Sequence, residues 1–217
     1  MGQSVLPAIK GGKVVHLIIE EADIKGGSKL VEGRSGYGKA FFSGRSHGGR
    51  GGLKQCLAAV GEGDVVVLEF NCADCCVDWK AVSMAPADSH EPRVSPSELH
   101  GFYAGIIGYV REKGARPVVL SLPVLLPQRF FDYVSRGLKG ENILAWLGGD
   151  VNAVGLLHER YNKVLEGVCV ALGVPMADIG TLLLDRRSIG DCYGEDGLRP
   201  NALGRAMIAE RLGAMLS

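Results

Sequence analysis

The sequence predicts an α/β protein in which a central parallel sheet lies between two layers of helices. Four short apolar runs rich in Val, Ile and Leu are bounded by Gly, Pro or charged residues. Such runs are typical of parallel strands that are buried on both faces. Helical patterns alternate with these runs. This alternation predicts a three-layer α/β/α sandwich with right-handed crossovers.

Four strands and four helices are predicted along the chain. The strands are expected at Val14–Ile19, Asp64–Phe70, Arg116–Leu122 and Val174–Ile179. The helices are expected at Gly52–Val60, Ser97–Lys113, Asn152–Leu172 and Ala202–Met215. The second helix has apolar or aromatic residues at helical spacing from Leu99 to Val110, and Ser95 and Pro96 precede it as a start signal.

Length and charge exclude several classes of protein. The 217 residues fit one domain, which we expect to span residues 1–217, and a hydrophobic share of 47% argues against a disordered chain. Lys plus Arg equals Asp plus Glu at 24 each, so the formal net charge is zero. This balance argues against nucleic acid as a partner and against electrostatic binding to a membrane surface.

The lack of a membrane-spanning run and of a signal-peptide pattern, together with the cysteines, predicts a cytoplasmic protein. We expect no cofactor. We find no apolar run of the roughly 18 residues that a bilayer span needs, and no signal-peptide pattern over Met1–His16. The six cysteines are most simply reduced thiols. Cys72, Cys75 and Cys76 lack a second C-x-x-C, so we expect no metal site.

The expected ligand site lies at the carboxyl ends of the strands, where parallel sheets bind ligands. Residues 20–23 follow the first predicted strand, and Asn71, Cys72, Ala73 and Asp74 follow the second. A late loop over residues 190–200 leads into the last helix. These segments therefore contain the candidate functional residues.

Two of these segments resemble sequence blocks of the SGNH (GDSL-type) hydrolases. Residues 195–204, Glu-Asp-Gly-Leu-Arg-Pro-Asn-Ala-Leu-Gly, resemble the family's final block, Asp-Gly-Ile/Leu-His-Pro-Asn. Residues 65–75 resemble the block that ends in Gly-x-Asn-Asp, and residues 120–123, 129–150 and 158–162 resemble bacterial SGNH-like proteins. The resemblance covers residues 60–217 well and residues 14–58 poorly. It implies a flavodoxin-like sandwich and ester hydrolysis.

The family's catalytic residues correspond to altered positions in this chain. In the family, a Ser after the first strand attacks an acyl ester, and a His in the last block acts as its base. Asp196 matches the Asp that orients this His, but Arg199 occupies the His position. Ala73 occupies the position of the oxyanion-binding Asn, although the following Asp74 is retained. Asn71 replaces the Gly of that block.

The nucleophile and the second oxyanion position fall in the weakly matched segment. Glu21 and Ala22 follow the first strand where the family has Asp and Ser, which places Ala22 at the nucleophile position. A second register uses Ser28, nine residues after the strand. The family serine directly follows the strand, which favours Ala22. The oxyanion glycine is assigned to Gly48 or its neighbour Gly49.

These substitutions predict a pseudoenzyme or a weak hydrolase that binds a small acylated or carbohydrate-like ligand. Alanine has no lone pair, arginine has a pKa above about 12, and losing one oxyanion donor costs on the order of 10²–10³ in rate. Arg199 beside Asp196 is either an ion pair that plugs the site or a clamp for an anion. The predicted site comprises Glu21, Ala22, Gly48, Asn71, Cys72, Asp74, Asp196 and Arg199.

Two other functions stay open from the sequence. An active carboxylic-ester hydrolase would use Ser28 or Cys72 as nucleophile, with His47 or His158 as a relocated base. A structural or interaction protein would have its cleft filled by the Asp196–Arg199 pair. The expected partner is a small molecule or an ester substrate, and the sequence leaves the oligomeric state undetermined.

Overall fold

A four-stranded parallel sheet forms the centre of the computed structural model, which describes residues 12–19, 25, 53–184 and 188–216. The strands lie side by side in chain order: β1 (Val14–Ile19), β2 (Val65–Phe70), β3 (Arg116–Leu120) and β4 (Met176–Ala177). All neighbouring pairs are parallel. The first three strands begin and end within two residues of their predicted bounds, whereas β4 has two residues instead of six.

The register of the first two strands places their carboxyl ends at one edge of the sheet. His16 lies opposite Val67, and Ile18 lies opposite Glu69. Beyond the last pair, the Asn71 backbone N–H donates to the Ile19 carbonyl at 2.8 Å. The residues that follow β2 therefore start beside the end of β1, as expected for a site at this edge.

Eight α-helices and two 3₁₀ turns connect the strands within the described ranges. The helices are α1 (Leu53–Ala58), α2 (Trp79–Met84), α3 (Pro96–Glu112), α4 (Pro127–Val134), α5 (Gly140–Trp146), α6 (Ala153–Leu172), α7 (Gly180–Leu184) and α8 (Ala202–Leu216). The 3₁₀ turns are Cys72–Cys75 and Ile189–Cys192. The sequence predicted α1, α3, α6 and α8. It missed the other four because five to eight residues are too few to show a helical period.

The helix start predicted at Ser95 and Pro96 is confirmed as a capping box. The Ser95 Oγ accepts from the Glu98 backbone N–H at 3.2 Å, and a Glu98 carboxylate oxygen accepts from the Ser95 N–H at 2.7 Å. These two hydrogen bonds satisfy donors that a helix start would otherwise leave unpaired.

At the far end of α6, Gly173 adopts the left-handed conformation at φ +59° and ends that helix.

Helices cover both faces of the sheet, which confirms the predicted three-layer sandwich. On the first face, Val66, Leu68 and Phe70 pack with α3 and α6 in one apolar cluster. On the second face, Val65 and Val67 pack with α7 and α8 in another. Alternate residues of β2 point to opposite faces, as the two-residue period of a strand requires. Within the described ranges, no helix combines the length and the apolar character that a membrane span needs.

Candidate ligand-binding site

The turn that follows β2 is held by the side chain of Asn71. Its Oδ1 accepts from the Ala73 backbone N–H at 3.4 Å, and its Nδ2 donates to Asp74 Oδ2 at 3.2 Å. Asp74 is buried, and its carbonyl also accepts from the Val94 N–H at 3.1 Å. Asn71 and Asp74 therefore shape the 3₁₀ turn that leaves the sheet, which is a structural use of the amide and of the carboxylate.

The late loop is organised by Asp196. Its Oδ1 accepts from the backbone N–H groups of Leu198 and Arg199, each at 3.0 Å. Its Oδ2 lies 3.5 Å from Arg199 Nη1. Arg199 is 59% exposed, so the ion pair leaves most of the guanidinium accessible. Because screening weakens exposed ion pairs, this pair adds little stability to the loop.

Helix α4 fixes the late loop against the rest of the protein. The Leu126 backbone N–H donates to the Gly197 carbonyl at 2.8 Å, and Arg129 Nη1 donates to the Gly190 carbonyl at 2.8 Å. Gly197 has φ +61°, and a Cβ added there would lie 2.9 Å from Arg129 Cβ. Glycine is therefore required at position 197 by both its backbone conformation and its close neighbour.

The thiol of Cys72 joins the two segments. It donates to the Leu198 carbonyl across 3.8 Å, so the end of β2 and the late loop lie against each other. Burial raises the pKa of the Cys72 thiol well above its ordinary value, the negative charge of Glu69 raises it further, and Arg199 partly offsets both effects. The thiol is therefore protonated at neutral pH, and a protonated thiol is a poor nucleophile.

A pocket of about 520 Å³ opens where these segments meet. It extends from the strand ends along the second face of the sheet, toward α8. This volume lies within the range of roughly 300–1,000 Å³ that is usual for small-molecule sites. Its lining residues are His16, Ile18, Glu69, Asn71, Cys72, Leu120, Pro123, Ile179, Arg199, Pro200, Arg205, Ile208 and Leu212.

Two titratable side chains of the sheet meet inside the pocket. His16 on β1 is 3% exposed, and its Nε2 lies 2.6 Å from Glu69 Oε2 on β2. Glu69 is 31% exposed. Both side chains point to the second face because they lie in phase with Val65 and Val67. The pair forms a polar spot on an otherwise apolar wall.

The structure brings some of the predicted site residues together and separates others. Asn71, Cys72 and Arg199 line the pocket, and Asp196 contacts Arg199. Ala73 packs against the first-face cluster, and Asp74 is buried in the turn; neither belongs to the pocket lining. The remaining candidates lie outside the described residues: Glu21, Ala22, Ser28, His47 and Gly48.

His158, a candidate base, is buried and bound to the backbone. Its Nε2 lies 2.9 Å from the Pro123 carbonyl oxygen. Burial lowers its pKa below the ordinary value of 6.5, although the Pro123 carbonyl favours the protonated ring. The neutral ring therefore donates its Nε2 proton to this carbonyl. The contact ties α6 to the segment after β3, which is a structural role.

The cysteines and the acidic residues form no metal centre in the described part of the chain. None of the six cysteines forms a disulfide. Among the described residues, no group of three or more His, Cys, Asp or Glu side chains is arranged to hold an ion. Cys75 and Cys76 lie next to Cys72 in the same turn, and burial raises the pKa of Cys76 to about 11. The thiols of Cys72, Cys75 and Cys76 are therefore not poised to react at neutral pH.

Ten of the thirteen lining residues were not among the predicted site residues, and three of these ten are titratable: His16, Glu69 and Arg205. A signal existed for two of them, because His16 and Glu69 each interrupt an apolar strand with a titratable side chain. A buried strand rarely keeps such a residue without a partner. Arg205 gave no signal, since a charged residue on a terminal helix is ordinarily solvated.

The fold is similar to that of solved structures, whereas the sequence has no close match. No protein-family model matches the chain, and no curated protein matches it significantly. A "putative SGNH hydrolase" from Slackia heliotrinireducens aligns over 95% of this chain and 100% of its own length, with a TM-score of 0.53 at 14% identity. A lipase/acylhydrolase from Enterococcus faecalis aligns over 71% of this chain and 62% of its own, with a TM-score of 0.41 at 14% identity.

These likenesses concern the fold alone, because both identities are far too low to transfer an activity. The Slackia alignment nevertheless spans nearly the whole chain, with a TM-score above 0.5. The chain therefore has an SGNH-hydrolase-like α/β/α fold, as its sequence motifs indicated.

Proposed function

We propose that this protein is a pseudoenzyme of SGNH-like fold that binds a small acylated or carbohydrate-like ligand carrying an anionic group. The observation that carries the proposal is Arg199. The sequence resemblance assigns it to the position of the family base, and in the structure it lines a pocket of about 520 Å³ with 59% of its side chain exposed. A guanidinium cannot accept a proton near neutral pH, but it binds carboxylates and phosphates well.

The nearby groups support binding rather than hydrolysis. Asp196, which would orient a His in the family, accepts from two backbone N–H groups and pairs with Arg199 instead. The pKa of the Cys72 thiol is raised by burial and by Glu69, so this sulfur lacks the activation that a nucleophile needs. Ala73 offers no side-chain donor to an oxyanion.

Neither His158 nor His16 offers an imidazole base to the Cys72 thiol. His158 is bound to the Pro123 carbonyl. His16 pairs with Glu69 and lies opposite Val67, five residues before Cys72. A base must lie within about 3.2 Å of the proton that it removes.

The open pocket also favours a ligand over a plugged cleft. If the Asp196–Arg199 pair filled the site, the guanidinium would be buried against the strand ends. Instead the ion pair spans 3.5 Å at the rim, and the pocket continues beyond it toward α8. Arg199 is therefore placed to contact an incoming anion while Asp196 holds its backbone in position.

Hydrolysis of short-chain p-nitrophenyl esters tests the proposal, with and without prior alkylation by iodoacetamide. We expect no turnover above the uncatalysed rate. Turnover that alkylation abolishes would identify a cysteine nucleophile and contradict the proposal. Turnover that survives alkylation would contradict it too, and would favour the register that uses Ser28.

A second measurement tests the binding role of Arg199. Thermal shifts are recorded for the protein with a set of acylated carboxylates, acetylated sugars and sugar phosphates. We expect a stabilising ligand whose effect disappears in Arg199→Gln and persists in Arg160→Gln, an equal change of charge at an exposed site on α6. A ligand whose effect is equal in both variants would show that Arg199 is not the anion contact.

A further inference from the structure

Glu69 is the only charged residue of β2, and among the described residues it is the only carboxylate that lines the pocket. Ile18 lies directly opposite it on β1 and is apolar. A carboxylate on a strand that helices cover on both faces is rare, because removing its charge from water is costly. The Glu69 side chain is nevertheless 31% exposed, so it faces the open volume of the pocket.

A buried histidine occupies one oxygen of this carboxylate. His16 Nε2 lies 2.6 Å from Glu69 Oε2, and the His16 side chain is 3% exposed. The described residues make no hydrogen bond to the other oxygen, Oε1. Because a carboxylate accepts hydrogen bonds at both oxygens, Glu69 is able to accept a further one from a bound molecule.

The pocket thus carries groups of opposite charge. Arg199 and Arg205 line it as cations, and Glu69 lines it as an anion. The charge of Glu69 raises the pKa of the Cys72 thiol and the charge of Arg199 lowers it, so both charges act on the same lining residue. A guanidinium only donates hydrogen bonds and an ionised carboxylate only accepts them. A molecule that satisfies both needs an anionic acceptor and a hydrogen-bond donor.

We propose that Glu69 is a specificity-determining residue, which selects ligands that carry a hydroxyl or ammonium donor in addition to the anionic group bound by Arg199. This inference rests on the proposed function, because it specifies the ligand class of the same pocket. A ligand without a donor would cover Glu69 and remove water from its carboxylate without replacing the lost hydrogen bonds. Such a ligand is disfavoured for that reason.

Isothermal titration calorimetry with three ring carboxylates of one skeleton tests the inference. The probes are cyclohexanecarboxylate, trans-4-hydroxycyclohexanecarboxylate and trans-4-aminocyclohexanecarboxylate, which differ only in the group opposite the carboxylate. We expect a donor-bearing probe to bind about tenfold more tightly than cyclohexanecarboxylate, the usual effect of a hydrogen bond to a charged acceptor. Preference for the hydroxy probe identifies a hydroxyl as the partner of Glu69, and preference for the amino probe identifies an ammonium. Equal affinities, or no binding by any probe, would overturn the proposal.

Matched variants assign the preference to Glu69. Glu69→Leu should bind all three probes equally, and Glu69→Gln, which keeps an acceptor oxygen without the charge, should retain part of a preference for the hydroxy probe. Glu210→Gln makes the same change at an exposed position of α8 outside the pocket lining, so it should keep the full preference. The thermal midpoint verifies that each variant folds, and Glu69→Gln decides the test if Glu69→Leu does not fold. An unchanged preference in the folded Glu69 variants would overturn the assignment.

The outcome is separable from that of the proposed function. Arg199→Gln should weaken all three probes by a similar factor, because each carries the same carboxylate, and should leave the ratio between them unchanged. Equal affinities without ester turnover would remove only the donor preference. Ester turnover would remove the pseudoenzyme, whatever the ratio of the probes.

Discussion

The two faces of the sheet differ in how completely they are packed. On the first face, α3 buries Leu99, Ile106 and Val110 fully against α6 and the strands. On the second face, Ile208 and Leu212 of α8 border a pocket of about 520 Å³ that also contains the His16–Glu69 pair. Dense packing on one face stabilises the fold, which allows the other face to keep the open volume that a ligand needs.

Gly204→Ala should give the largest effect of the substitutions that compare the two faces. A Cβ at this position of α8 would lie 2.4 Å from the Cys192 carbonyl oxygen and 2.9 Å from Pro200 Cβ. Since a backbone carbonyl cannot move aside easily, we expect a loss of about 3 kcal/mol or more in the free energy of unfolding, measured in urea. Gly167→Ala on α6 has open space around it and should stabilise by about 0.5–1 kcal/mol.

A smaller contrast is expected between two isoleucines. Ile106→Ala on the first face should lower the free energy of unfolding by about 3–4 kcal/mol, because this side chain is 0% exposed in a dense cluster. Ile208→Ala on the second face should cost about 1–2 kcal/mol, since Ile208 is 8% exposed and already borders open volume. Equal losses in urea denaturation would mean that the two faces are packed alike.

Two tyrosines of the first face should respond to loss of their hydroxyl with opposite signs. The buried Tyr103 hydroxyl has no hydrogen-bond partner among the described residues, whereas the Tyr161 hydroxyl donates to the Val94 carbonyl. We expect Tyr103→Phe to stabilise by up to about 1 kcal/mol and Tyr161→Phe to destabilise by about 1 kcal/mol. If Tyr103→Phe destabilised the protein as much as Tyr161→Phe, its hydroxyl would have a partner after all.

The pH dependence of stability should report the buried His158. Its pKa in the folded protein is below 6.5, so the unfolded chain takes up a proton more readily as the pH falls. This group therefore lowers the free energy of unfolding as the pH falls below about 6.5, until the folded protein also protonates the ring. His158→Gln should flatten the slope of stability below pH 6.5, whereas His100→Gln, exposed on α3, should leave it unchanged.

Much of the fold could be predicted because its main elements carry strong periodic signals. The runs Val14–Ile19 and Val65–Phe70 are apolar enough to mark buried strands, and the long α3 and α6 show a clear helical period. The short α4 and α5 could not be predicted in this way. Their form depends on contacts such as the edge-to-face packing of Trp79 on Phe130 and Trp146.

The candidate site likewise has residues that the sequence could predict and residues that only the tertiary structure brings to it. Asp196 and Arg199 are three residues apart, so their contact follows from local sequence. Their place in one site with Cys72 was expected from the resemblance to the family's sequence blocks. The strand register that places His16 against Glu69, 53 positions away, is set by long-range pairing that no local pattern encodes. Arg205 enters the site only because α8 packs on the second face.

The sequence by itself determined how strands and long helices succeed one another along the chain, because hydrophobic periodicity is a local property of the chain. From the resemblance to the SGNH family also comes the expectation that Arg199 and Ala73 stand where the family has its His and Asn, and this stays a prediction. The tertiary structure alone decided that Ala73 and Asp74 turn away from the pocket while His16, Glu69 and Arg205 line it. The reason is physical: which side chains share a cavity depends on strand register and helix packing, and both are set by burial across the whole domain.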